Sequence, residues 1–150
     1  MKETFDPFEK LLVGLVQNKI DFILVGGLAC AFNGYVRPTE DVDILIKRNS
    51  ANIKRLLKFL SSYEEGYGSE LKEEDFSYEE GAIRVIESFP IDIFVVMSGK
   101  NFESLESEIN YFSLDKIQIP YLSKKALINL KKNSLRDKDK MDVIQLSQID

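Results

Sequence analysis

Asp41 and Asp43 stand one residue apart at the head of the apolar run Val42, Ile44, Leu45 and Ile46. Few patterns limit a chain more. Side chains alternate along a strand, so both carboxylates point to one face while Val42 and Ile44 point to the other. Two carboxylates roughly 7 Å apart on one face repel each other unless a positive charge lies between them. A hard divalent cation with oxygen ligands suits that place, and Mg²⁺ takes one or two carboxylates together with substrate phosphates. The segment before them complements this. Phe22–Val25 has the length and composition of a buried strand, and Gly26-Gly27 ends it. Adjacent glycines let the backbone turn sharply and approach a ligand closely. Leu28, Ala29, Ala31 and Phe32 then carry a helical pattern that Gly34 stops, and the free N–H groups at its start suit an anion. Arg37-Pro38-Thr39 supplies a turn with a cation in it. Glycines for phosphate and aspartates for metal together suggest a nucleoside triphosphate site.

The flanking segments read as scaffold. Asp6-Pro7 caps a helix whose Phe8, Leu11, Leu12, Leu15 and Val16 recur at helical spacing. Asn49 or Ser50 caps a second, with Ile53, Leu56, Leu57 and Leu60 as its stripe. Residues 63–81 turn polar and acidic and read as an irregular surface excursion with a short helix around 72–78. Residues 82–87 and 90–97 read as a strand pair joined through Ser88-Phe89-Pro90. Asp92 interrupts the second of these, on a face shared with Phe94 and Val96. A carboxylate is costly to bury without a partner. Asp92 therefore either pairs with an arginine or sits at the strand end, or it joins Asp41 and Asp43 from a neighbouring strand; the last is favoured. Further on, a loop or short helix over 102–109, a strand over 117–119 ended by Pro120, and a helix over 123–132 are expected. A final helix is expected to pack through Met141, Ile144 and Leu146, with Asp137, Asp139 and Asp142 in its first turn. Strands alternating with helices point to an α/β (α+β) layer structure, one domain over 1–150.

Composition excludes whole classes of chemistry. The chain has no histidine, which removes Ser–His and Cys–His catalysis and histidine-ligated zinc. Acid–base work falls to carboxylates, lysines or tyrosines. The single cysteine, Cys30, forms no internal disulfide and reads as a small buried hydrophobe. A net charge of −5 argues against a generic nucleic-acid binder. No signal peptide or membrane-spanning run is legible, so a cytoplasmic location and no membrane partner are expected.

Gly26-Gly27, thirteen residues, then Asp41-Val42-Asp43, with Asp92 on a later strand, resembles the signature of the polymerase-β-like nucleotidyltransferase superfamily. The fuller pattern through Arg37-Pro38-Thr39-Glu40, with Lys131 and the Arg136–Asp142 stretch, is similar to small bacterial nucleotidyltransferase-fold proteins akin to abortive-infection toxins. The resemblance implies a small mixed β-sheet flanked by helices. It implies that Asp41, Asp43 and Asp92 hold two Mg²⁺ ions, with Asp92 also able to accept a proton, and that Gly26, Gly27, Arg37 and Lys138 bind the nucleotide. Lys131 and Arg136 are weaker candidates, and Thr39 is read as a turn residue. The implied reaction moves a nucleoside monophosphate, AMP from ATP, to a hydroxyl on a protein, a small molecule or RNA, within a toxin–antitoxin system with a cognate partner. The alternative is a toxin–antitoxin member that binds nucleotide or partner without turnover; a metal-dependent phosphohydrolase is a third reading. One departure is that Gly27 replaces the serine common in the superfamily.

Overall fold

The short apolar run Phe22–Val25 (β1) is buried at all four positions, as only an interior strand can be. It lies antiparallel to β2 (Val42–Ile46), with Val25 opposite Asp43. β2 in turn lies parallel to β4 (Pro90–Phe94), which forms a hairpin with β3 (Ala82–Ile86). On the other side of β1 lies β6 (Ile117–Leu122), paired with β5 (Ile109–Leu114). The result is one mixed six-stranded sheet of order β3-β4-β2-β1-β6-β5. The computed structural model describes residues 5–149.

Among the described residues six α-helices flank the sheet, in the α+β arrangement expected. Helix α1 (Pro7–Gln17) begins at Asp6 in a capping box with Glu9. Helix α2 (Gly26–Phe32) starts on the glycine pair itself rather than behind it. Helix α3 (Ser50–Ser61) is capped by Asn49. The fully buried Asn52 on α3 bonds Asp21 N–H, Asp21 C=O and Lys47 C=O, tying the start of β1 to the end of β2. Helices α4 (Phe102–Leu105), α5 (Lys124–Lys131) and α6 (Asp137–Ser147) complete the set. Among the described residues, no helix is long and apolar enough to cross a membrane.

Several expectations are corrected. The acidic excursion holds two 3₁₀ turns, Tyr67–Glu70 and Glu73–Asp75, rather than a helix over 72–78. Phe76 anchors it with no exposed surface. Its acids bind backbone: Glu64 accepts from Ser88 N–H, and Glu80 from Ser98 and Gly99 N–H. β6 runs through Pro120 to Leu122, and β5 occupies residues to which the sequence pattern assigns no element. Met141 and Ile144 are half exposed, at 48% and 50%. Leu146 packs as expected, joined by Asp142, which lies beyond the first turn; both have no exposed surface.

Candidate active site

Register alone brings the acids together. In the parallel β2–β4 pair Asp43 lies directly opposite Asp92, and Asp41 precedes β2 by one residue. One carboxylate oxygen from each of the three lies within 4.8 Å of the others. Asp43 and Asp92 are thus cross-strand neighbours with like charge, which destabilises unless a cation or proton intervenes. Burial first, and then the neighbouring Asp41 and Asp92 carboxylates, push the Asp43 carboxyl up to about 7. Three clustered oxygen donors, with the Asp43 carboxyl pushed toward its neutral form, are a donor set suited to a hard divalent ion.

The two glycines are needed for different reasons. Gly26 has φ +70°, and a Cβ there would come within 2.1 Å of Asp43 Oδ2. Only glycine permits both the backbone conformation and the buried acid beside it. At Gly27 a Cβ would meet Thr39 Oγ1 at 2.9 Å and Arg37 Nη1 at 3.0 Å. A larger residue there would have to displace both side chains. Thr39 itself donates to Asp41 C=O at 3.3 Å, a turn-stabilising role.

A cleft of about 790 Å³ opens beside this cluster. Gly26, Gly27 and Asp43 form one wall, and Phe94, Val96 and Met97 give it an apolar floor. Phe94 and Val96, which share a strand face with Asp92, therefore line the cleft while also packing against the core. Its remaining wall, from α5 to the start of α6, presents Lys131, Lys132, Arg136 and Lys138. Arg37 lines the cleft too, but its Nε and Nη2 donate to Asp142 Oδ1 and Oδ2 at 2.7 and 2.9 Å. Lys131 donates to the same Asp142 at 2.8 Å and reaches Asp139 at 3.3 Å. Burial would raise the Asp142 pKa, but the hydrogen bonds from Arg37 and Lys131 outweigh it and hold it below its ordinary value. Lys138 is exposed. Cys30 is buried, and that burial pushes its thiol up.

Sequence reading missed one member of the site. Arg84 on β3 pairs with Asp92 through Nε and Nη2, each at 2.8 Å, and its Nη2 lies 3.6 Å from Asp41. Both readings offered for Asp92 therefore hold at once: it joins the cluster and it has an arginine. The signal was available, because a hairpin turning at Ser88 sets residue 84 opposite residue 92.

This chain has the nucleotidyltransferase fold. It superimposes on the lincosamide antibiotic adenylyltransferase LnuA in its lincomycin-bound form, at a TM-score of 0.60 and 15% identity over 98% of both chains. It is similar also to a candidate nucleotidyltransferase from Thermotoga maritima (TM-score 0.56, 16% identity, 92% of this chain and 88% of that one). An antigenic nucleotidyltransferase-like protein from Paracoccidioides brasiliensis gives a TM-score of 0.53 at 16% identity, over 94% and 75% of the two chains. No family model and no curated protein matches the sequence. The same fold thus carries three clustered carboxylates, from Asp41, Asp43 and Asp92, that could hold a metal ion.

Proposed function

We propose that the chain is a Mg²⁺-dependent nucleotidyltransferase that moves AMP from ATP to a hydroxyl of a small molecule. The observation that carries this reading is the convergence of three carboxylates, from β2, the residue before it and β4, at the edge of a cation-lined cleft. A small-molecule acceptor and an adenylyl donor are supported by the end-to-end likeness to an adenylyltransferase that acts on an antibiotic. The acidic charge of the chain, −5, disfavours RNA as acceptor.

Asp41, Asp43 and Asp92 would hold the metal, two ions in the full reading, and it would supply neutralisation of triphosphate charge and polarisation of the acceptor oxygen. Lys138, with Lys132 and Arg136, faces the phosphates across the cleft. The glycine pair brings backbone close to them without a Cβ in the way. Phe94, Val96 and Met97 offer an apolar surface to the nucleobase. Asp92 accepts the proton of the acceptor hydroxyl, whose oxygen forms a bond to the α-phosphorus while the bond to the β-phosphate oxygen breaks and pyrophosphate leaves. Arg37 and Lys131 hold α6 against this wall through Asp142.

Incubation with ATP, Mg²⁺ and a panel of hydroxylated small molecules tests the reading: pyrophosphate release and a labelled acceptor are expected, and Asp43→Asn abolishes both. Arg84 on Asp92 favours a second reading, a toxin–antitoxin component that binds nucleotide or partner without turnover. Calorimetry showing ATP binding with no pyrophosphate released would favour that one.

A further inference from the structure

Arg84 lies directly across from Asp92 in the antiparallel β3–β4 pair, and Asp92 directly across from Asp43 in the next pair. The three side chains form a row across one face of the sheet. The guanidinium engages both oxygens of Asp92 and also approaches Asp41, so it straddles two members of a triad that is compact to 4.8 Å. Its side chain is 51% exposed. Solvent screens it and leaves it free to leave, since exposed ion pairs are weak.

We propose that Arg84 sets the metal affinity of this site. It is a tethered counter-cation that competes with a divalent ion for Asp92 and Asp41 and swings into solvent when the ion binds. The inference rests on the reading of the triad as a metal site. While the guanidinium sits on Asp92 and Asp41 it offsets part of their charge, so an incoming ion must displace it; a triphosphate bound to the ion adds ligand oxygens that favour the exchange. The site is therefore held weak for free metal and strengthened by metal arriving with nucleotide. This ordering follows from the residues present, because a lysine or glutamine at position 84 could not pair with both oxygens of Asp92 in the same fork.

The competing role would be positioning, with Arg84 holding Asp92 in the geometry the ion requires. The two roles predict opposite signs. Isothermal titration of the full chain with Mn²⁺ alone, without nucleotide, distinguishes them, with melting temperature recorded for each variant. Arg84→Gln is expected to bind the ion about tenfold more tightly than the parent chain, at the low end of what a neighbouring unit charge does to a carboxylate. Arg84→Lys is expected to fall between them, and the gap to narrow at high salt. Equal or weaker binding by a folded Arg84→Gln chain overturns the proposal while leaving the metal site standing, provided Asp43→Asn has lost the ion. If parent, Arg84→Gln and Asp43→Asn are all alike in failing to bind, the metal reading falls and this proposal falls with it.

Discussion

Two clusters of charge line one cleft and are built on opposite principles. Around Asp142, two carboxylates (Asp139 and Asp142) are met by Lys131 and Arg37, with Arg136 3.8 Å from Asp139. Asp142 is fully buried, and among the described residues no buried side-chain polar atom lacks a partner. Around Asp43, three carboxylates share one half-exposed arginine. Arg37 and Lys131 hold Asp142 below its ordinary pKa, whereas burial and its acidic neighbours push Asp43 up to about 7. The first cluster is complete without a ligand and clamps α6 to the rest of the fold. The second is short of positive charge, the condition of a site that takes a cation.

Breaking the complete cluster should be the more damaging to the fold. Asp142→Ala leaves Arg37 and Lys131 facing each other without their shared acid, and a stability loss of about 3–5 kcal/mol is expected from denaturant midpoints. Asp43→Asn should do the reverse. It removes a repelled acid, so the melting temperature should not fall, while Mg²⁺-dependent pyrophosphate release drops at least about a hundredfold, the loss of a few kcal/mol of charge stabilisation.

The clusters also give pH dependences of opposite sign. The folded pKa of Asp43 lies above its unfolded value, so the folded chain holds the extra proton between pH 3.8 and about 7. Its contribution to metal-free stability is complete below that window and is lost as pH rises through it. Asp142 is depressed, so its contribution is present above the ordinary value of 3.8 and is lost as pH falls below that. Melting curves of the parent, Asp43→Asn and Asp142→Asn chains across pH 3–8 separate the two. Metal binding follows Asp43: Mg²⁺ should raise the melting temperature more at pH 8 than at pH 6, because at the lower pH it must displace a proton. The smallest effect is expected at the rim. Lys138→Ala should raise KM for ATP about two- to fivefold with kcat little changed, the scale of one exposed charge.

How much of this was legible in the sequence depends on whether the signal is local. The run from β1 through the glycines to β2 can be read because turn chemistry and strand alternation act within a few residues. Asp92 could be placed because its burial demanded a partner. β5 was hidden because its hairpin turns on Asp115-Lys116, with φ of 49° and 71°, where no glycine announces the turn. The face of α6 was only partly read, through Leu146, because it also runs through Asp142, and a helical stripe containing an acid looks like a surface. Its partner Arg37 lies 105 residues away, beyond any periodicity argument. Arg84 needed a register, not a motif.

The lock on Asp142 also determines what deleting the last helix would produce. With residues 137–149 removed, Arg37 and Lys131 lose their shared acid and face the cleft unpaired. The cleft then keeps Arg37, Lys131, Lys132 and Arg136 without Asp139 and Asp142, and the shortened chain should elute from heparin at higher salt than the intact protein.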